Sequence, residues 1–542
     1  MRTKYFSITA IVGLFFSINL NAQVLTSSNL PIIIINTNGL TIVDEPKIVA
    51  DMGIIYNGVG VRNNLTDSFN NYNGKIGIEY RGSSSQWMPQ KPYGIRTQDL
   101  QGLALNVSLL GMPADNDWAL YAPYDDKTCI RNILTFKIGR EMGQWAPRTV
   151  LCELVVNGSY EGIYVLMEKV KKGNNRVNIS KLDLDDNAGD SLTGGYIIKV
   201  DKTTGNFGGS FPSAYYNNYN YQYHYPDGSN MTVQQKVYIK QFVDSFENAM
   251  YGVNFADTLV GYKKYIKVGS FIDFMIVNEI SRNVDGYRIS SYLHKDKYSK
   301  GGNLVAGPLW DFNLAWWNAD YCRGFMVDGW MYDFNAYCGG GLDVPAFWPK
   351  LMTDSNYNNR LRCRWDWLRT KTLDLNYLDT YIDSLGNYLN EAQQRHFQRW
   401  PIIGIYTWPN PSPIPTSYQG ELDALKTWNH NRFPWLDDNW PGTCYSVGLD
   451  GDDKALESSL SVYPNPSNST ISMNYFLSAK SKVSIQLVNA LGETIKTIDL
   501  GEQQPGSYQK NIDGLDKISN GVYLLKLSTN QSVITKSIVK SE

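Results

Sequence analysis

The sequence predicts an α+β fold followed by a small C-terminal β-sandwich, and three observations carry that prediction. Through the first 200 residues, apolar and polar side chains alternate with period two between turn signals, the pattern of paired strands. From about residue 231 the apolar spacing becomes helical, most clearly in "GSFIDFMIVNEISRNVD" (269–285). Near residue 450 an acidic, polar stretch, "LDGDDKALESS", separates these regions from a run of short alternating strands beginning at Ser461. At 542 residues the chain exceeds one ordinary core and should hold two or three domains.

The elements follow in order. Residues 1–22 carry Arg2 and Lys4, an apolar core from Tyr5 to Leu20 and a small-residue site before Gln23, the layout of a secretory signal peptide. "PIIIINTNGLTIVD" reads as strand, Asn-Gly turn, strand, and "GKIGIEYRGSSSQWMPQKPYGIRT" (74–97) as a second pair around a Gly/Ser/Pro loop. "CIRNILTFKIGREMG" (129–143) puts Ile130, Ile133, Leu134, Ile138 and Met142 on one helical face, with Gly143 to end it. "RTVLCELVVNG" and "EGIYVLMEKV" form a hairpin about Asn157-Gly158. The Tyr/Asn/Gly-rich segment 203–230 is expected to be a long loop or insertion. Residues 451–460 form the linker, and 461–542 the sandwich.

Composition removes several function classes. The formal net charge is −2 and no Lys/Arg stripe appears, so nothing favours nucleic acid. Beyond the leader no apolar run is long enough to span a bilayer, and no transmembrane segment is expected in the mature chain. All six cysteines lie past the leader, consistent with an oxidising destination, and Cys322–Cys338, flanking a loop with Gly and Asp, is the preferred disulfide. No P-loop, G-x-G-x-x-G, H-E-x-x-H or G-x-S-x-G occurs. Four histidines (224, 294, 396, 430) leave few candidates for a triad or a His-rich metal site, and only His294 has other polar candidates nearby. Aromatic content of 13%, with 15 Trp and 37 Tyr, fits large aromatic cores or a carbohydrate surface.

What remains is an ordered series. "GPLWDFNLAWW" (307–317) reads as an apolar, strand-like run with a carboxylate, Asp311, between Trp310 and Phe312, and burying a charge costs several kcal/mol unless it is paired or holds a metal. Upstream lie the loop "YRGSSSQWMPQK", the helix 129–143, the hairpin ending "VLMEKV", and Asp285 in "RNVDGYRISSYLHKD". Asp285 and Asp311 are 26 residues apart, enough for a hairpin, turning at 299–302, to bring the second back beside the first. This order matches the working parts of a protein-kinase-like fold: a hairpin loop over phosphates, a strand Lys, a supporting helix, a hinge, a catalytic acid and a metal-binding acid. Ser290 and Ser291 stand about where kinases carry an Asn that binds a second metal, and a hydroxyl is a poorer ligand. Taken singly, the Gly82–Ser85 segment could be a plain turn, Lys91 a solvated strand end, and Asp285 a turn closer.

The stretches "IEYRGSSSQWMPQKPYGI", "LLGMPADNDWALYAPYDDKTCIRNILTFKIGREMG", "VNGSYEGIYVLMEKVKKGNNRVNISKL", "GGYIIKVDK", "VNEISRNVDGYRISSYLHKD" and "GPLWDFNLAWWNADYC" together resemble the spore-coat protein H (CotH) kinase family, atypical secreted kinases. The resemblance implies a two-lobed kinase-like domain over 23–450, N-lobe about 30–200 and C-lobe about 230–450. It implies transfer of the ATP γ-phosphoryl group to a protein hydroxyl with Mg²⁺, or Mn²⁺ in its place. Asp285 and Lys91 would be the catalytic pair. Arg81, Gly82, Ser83, Ser84 and Lys91 would contact the nucleotide phosphates, with Met167 and Glu168 beside adenine. Asp311 and Asn313 would hold the metal. Asp126 or Glu141 could back Lys91, and Arg131 and Arg288 could touch phosphate or form structural ion pairs. Family members often carry W-D-x-D; here Trp310-Asp-Phe-Asn313 replaces the second carboxylate with an amide of lower charge.

The C-terminal segment, with "SVYPNPSNSTISM", "NALGETI" and "NGVYLLKLSTNQSVITKSIVK", resembles the sorting domain of the Bacteroidetes type IX secretion system. It implies dealings with that machinery, passage to the outer surface or medium, and release or attachment to surface lipopolysaccharide. Two other readings stay open. One is a kinase-like surface adhesin or binding protein without turnover. The other is a glycan-active protein, motivated by Trp316, Trp317, Trp330, Trp348, Trp400 and Trp408 and by a carboxylate pair, Asp285 and Asp311, that could act as acid and base.

Overall fold

A computed structural model describes residues 25–444 apart from 205–207, 217–218 and 340, and residues 459–541 apart from 478–479, 490–492 and 530–532. The expected signal peptide lies outside the described residues, as does most of the expected linker. The architecture is α+β with a β-rich C-terminal region.

Seven strands close into a barrel: β1 (Ile32–Asn36), β2 (Ile48–Ile55), β3 (Tyr72–Tyr80), β4 (Tyr93–Gln98), β5 (Asp117–Tyr121), β6 (Thr149–Val156) and β7 (Ser159–Glu168), in the order β1-β2-β3-β4-β5-β7-β6. Antiparallel neighbours make up the wall, and closure comes from parallel pairing of β1 with β6, Ile32↔Glu153 to Ile35↔Val156. Closure removes the unpaired edges that an open sheet would leave. Inward side chains, among them Ile33, Met52, Ile78, Ile95, Trp118 and Leu166, form one buried core. The expected partner strand at 41–43 does not form; β1 pairs instead with β2, five residues further on. Gly162 shows why one position needs glycine: φ is +96°, and a Cβ there would lie 2.7 Å from His396 Nδ1.

Between β5 and β6 runs helix α1 (Arg131–Glu141). The chain then builds a second sheet from β8 (Tyr196–Val200), β9 (Ser210–Pro212), β10 (Asn220–Tyr225), β11 (Ser291–Lys295) and β12 (Leu304–Ala306), ordered β9-β10-β8-β11-β12 and antiparallel throughout. The segment expected to be loop, 203–230, thus supplies two strands; its Tyr residues alternate into the sheet, and Tyr219 and Tyr221 donate to the buried carboxylate of Glu247 at 3.0 and 2.8 Å.

Six longer helices follow or interleave: α2 (Val233–Tyr251), α3 (Val268–Ser281), α4 (Ser355–Arg369), α5 (Leu375–Leu389), α6 (Ala392–Arg399) and α7 (Tyr418–Asn439). Thr232 and Gln235 start α2 with a reciprocal capping box. Helix α3 is apolar on nearly every side and buried almost throughout, so it is a core helix. Among the described residues no helix is long and apolar enough to cross a membrane.

By contacts the chain divides into two compact units that interleave in sequence. One contains the barrel with 382–424; the other contains 134–146, 170–381 and the chain from 425 onward. In the C-terminal region, β13 (Ser461–Tyr463), β14 (Thr470–Leu477) and β17 (Gly506–Asp513) form one sheet; β15 (Ser481–Val488), β16 (Thr494–Gln503), β18 (Gly521–Ser528) and β19 (Val533–Lys540) form the other. Alternate side chains of both sheets, such as Ile471, Met473, Ile485, Leu525 and Leu527, bury a separate core. Disulfides join Cys322 to Cys338, as expected, and Cys363 to Cys444; Cys129 and Cys152 are buried thiols.

Candidate functional site

The second unit gathers the acidic candidates. Helix α3 ends at Arg282, which adopts left-handed φ of +47° and returns its N–H to the last turn. The loop that follows carries Asp285, whose N–H donates to Asn283 Oδ1 at 3.1 Å and whose carbonyl accepts from Ile289 N–H at 2.9 Å. Strand β11 then leaves at Ser291, turns through 299–302 into β12, and the chain comes back to Asp311, as the 26-residue spacing required. Asp311 is not on a strand. β12 ends at Ala306, and Asp311 lies five residues on in irregular backbone at φ +66°. Ser290 Oγ donates to Asp311 Oδ2 at 3.4 Å, linking the Asp285 loop to the second acid, while Ser291 turns its hydroxyl to its own neighbour, Ile289 O.

The backbone itself marks this region. Of twelve described non-glycine residues at positive φ, eight fall between Arg282 and Arg323, including Tyr287, Ser290, Asp311, Trp316 and Trp317. Such conformations cost about 1–3 kcal/mol each and persist where packing over-determines them, typically at working sites. Here the packing is visible. Trp316 N–H donates to Ser281 O at 2.6 Å and its indole to Thr135 Oγ1 at 2.7 Å; Trp310 stacks on Phe136; Asn313 O accepts from Asn318 Nδ2 at 2.7 Å.

Burial pushes the Asp285 carboxyl above its usual range; Arg288 beside it and Lys202 pull it back down, and Asp201 pushes it up again. Arg288 Nη2 donates to Asp285 Oδ1 at 3.2 Å, so Arg288 forms an ion pair here. Asp201 and Lys202 were missed as site residues. They follow β8, whose Val200 pairs with Ser291, and Lys199 holds Asp201 at 2.7 Å. A charged Asp-Lys pair directly after the apolar strand "YIIKV" was the available signal. His294 stays in the sheet, its Nδ1 3.1 Å from Gly307 O, and burial lowers its basicity.

The barrel unit holds the other candidates. Arg81 N–H donates to Pro92 O, and Gly82, at φ +91°, turns tightly enough that a Cβ would fall on the Ser85 hydroxyl. Ser83 precedes a short 3₁₀ turn, Ser84–Trp87, whose Gln86 donates to Gly82 O and to Asp44. Lys91 donates to Gln86 O at 2.6 Å, steadying the loop, and lines an open groove of about 450 Å³ with Tyr80, Tyr93 and Glu161. Met167 is buried in β7, which is paired on both sides there, and the buried Glu168 carboxylate is held by Arg148 at 2.9 Å, so both side chains serve the fold. Asp126 caps α1 by accepting from Arg131 N–H at 2.9 Å and pairs with the same guanidinium at 2.6 Å. Glu141, in the second unit, is engaged by Lys137 and Tyr377.

Among the described residues no group of three or more His, Cys, Asp or Glu could cage a metal. Asp311, with Asn313 two residues on, offers one carboxylate and one amide carbonyl. That donor set suits a cation such as Mg²⁺, which keeps several waters and takes one or two protein ligands plus phosphate oxygens.

The fold is an α+β domain with acids on irregular loops, followed by a β-sandwich with its own core. Residues 78–436 match the CotH kinase protein family, more than half of the chain, and this protein belongs to that family. Residues 461–541 match the secretion system C-terminal sorting domain, which marks the chain for secretion to the cell surface or beyond. No curated protein matches the chain.

Proposed function

We propose that this protein is a secreted kinase with a two-lobed, kinase-like catalytic domain, transferring the γ-phosphoryl group of ATP to a protein hydroxyl. The observation that supports the reading is the hydrogen bond from Ser290, on the loop that carries Asp285, to Asp311, with Ser290 and Asp311 both at positive φ and the Asp285 carboxyl raised by burial. Asp311 and Asn313 would hold Mg²⁺ or Mn²⁺, which when bound neutralises charge on the phosphates. Asp285 orients the acceptor hydroxyl and takes its proton; Lys91 and the Arg81–Ser84 loop are assigned to the nucleotide phosphates. Such chemistry rests on positioning and charge, so few residues suffice. Because burial raises the Asp285 pKa, its base form is lost as pH falls through a value above the usual carboxylate range, and activity should fall off there. Outside the cell the sorting domain would be removed, and the protein released or attached to lipopolysaccharide.

A second reading, nucleotide binding without turnover, is favoured by Asn313 and the small donor set. The glycan reading loses support from the aromatics: Trp316, Trp348 and Trp400 are core residues.

The test is transfer from labelled ATP by the secreted chain with Mg²⁺ or Mn²⁺, beside Asp285→Asn, Asp311→Asn and Asn313→Asp. Transfer should drop by about 10²-fold or more in the first two, and Asn313→Asp should lower the metal concentration needed for half-maximal activity. Nucleotide binding without transfer establishes the binder; no nucleotide binding, read by thermal shift, ends both kinase-scaffold readings.

A further inference from the structure

The loop closed by Cys322–Cys338, with Cα atoms 5.3 Å apart, is tied to the Asp285 loop by buried charge. Arg282 donates to Arg323 O at 2.6 Å and to Gly329 O at 2.7 Å. Arg432 donates to Val327 O and Gly329 O at 2.9 Å each. The Glu279 carboxylate accepts from Met331 N–H and Tyr332 N–H at 2.9 Å, and also from the hydroxyl of Tyr287, two residues past Asp285. Arg288 completes the connection. Its Nε donates to Val284 O at 3.0 Å, its Nη1 to Leu342 O at 3.2 Å, and its guanidinium lies 4.2 Å from the ring centre of Phe334, inside the closed loop. Its Nη2 donates to Asp285 Oδ1 at 3.2 Å.

Ordinary folding does not demand this arrangement. Two guanidinium groups, Arg282 and Arg432, and the Glu279 carboxylate are buried to hold a surface loop by its backbone, a third guanidinium, Arg288, packs on its Phe334, and buried ions cost several kcal/mol each unless their partners are fixed. The loop's carbonyls and amides are those partners, and closing the loop covalently keeps them in place by restricting alternatives. We infer that Arg288 is a positioning residue for Asp285, and that the Cys322–Cys338 loop, by fixing Arg288 through Phe334, sets where the Asp285 carboxylate points. The inference rests on the kinase reading for its catalytic consequence, but its structural half stands apart from it.

Hydrogen exchange of the full chain tests that half. In Arg288→Ala, and in the double variant Cys322→Ser with Cys338→Ser, amides of 282–290 should exchange about tenfold faster than in the wild type. Removing the other disulfide by Cys363→Ser with Cys444→Ser should leave 282–290 unchanged, which separates a specific tether from general loosening. Arg288→Lys keeps the charge and should exchange at an intermediate rate; it also serves if Arg288→Ala does not accumulate. On the catalytic side kcat should fall by about 10²-fold with KM for ATP little changed, since a misplaced base costs rate without costing nucleotide binding, and Arg288→Lys should restore part of it. Unchanged exchange over 282–290 on loss of Cys322–Cys338 overturns the inference whatever the activity. Faster exchange supports it even where the wild type transfers nothing, an outcome that removes the kinase reading instead.

Discussion

His396 sits in α6 with its ring buried, its Nδ1 accepting from Ile163 N–H at 3.1 Å. That bond places the ring proton on Nε2 and leaves Nδ1 as an acceptor, so protonation of the ring would break it. Burial pushes its pKa down to about 3 from an ordinary 6.5. The sign follows: the unfolded state binds the extra proton first, so this contribution is whole above pH 6.5 and is lost as pH falls toward 3. The loss is roughly 5 kcal/mol by linkage. Denaturant unfolding from pH 7 to 4 should therefore show a steep decline that His396→Gln flattens. Sequence alone treats this histidine as one of four; nothing in "EAQQRHFQRW" says that Gly162 opens a space for its ring. Asn313 is the opposite case. Its identity, two residues after Asp311 in "WDFN", is legible in the sequence alone.

At the scale of elements, α3 and α7 are joined by Glu279 and Arg432, which are wholly buried and 3.4 Å apart. Burial raises the Glu279 pKa and lowers that of Arg432 to about 9, so desolvation outweighs their mutual attraction. Such a pair is held by its hydrogen bonds to backbone rather than by its charge, and removing one member strands the other. Arg432→Ala should cost about 3–5 kcal/mol in urea unfolding, with the m-value unchanged; substitution of Glu279 together with Arg432 by apolar residues of similar volume should cost less. Helix α3 is readable from spacing, as are α1 and the hairpins β3–β4 and β6–β7, because each depends on local period and turn chemistry; α7 is not singled out. What the pattern could not reveal was that the run 307–317 is not a strand. Its apolar side chains suit one, but cap and loop contacts such as Trp316 to Ser281 and Thr135 hold the backbone in left-handed turns instead.

The whole molecule is organised for the outside of the cell. Two disulfides, Cys322–Cys338 and Cys363–Cys444, accompany two thiols, Cys129 and Cys152, whose pKa values burial pushes up. A thiol reagent should thus find no reactive cysteine in the native secreted chain and two after denaturation without reductant; four or six in the denatured chain would show that a disulfide does not form. The sandwich has its own core and contributes neither His nor Cys, in keeping with sorting rather than chemistry.

By itself the sequence determined the class and destination of this protein: an α+β CotH-family domain, a sorting sandwich, an acid at 285 and another at 311. These are carried by local period, by turn residues and by motifs short enough to survive as text. Tertiary structure decided the rest. Parallel pairing of β1 with β6 across about 120 residues closed the barrel, buried β7 on both sides and left Glu168 to Arg148. Packing within the second unit brought Asp201 and Lys202 near Asp285 and set Arg288 against Phe334, 46 residues further along the chain. Contacts of that range cost chain entropy that no local preference encodes, and they form only because burial and hydrogen bonding, summed over the folded unit, exceed that cost.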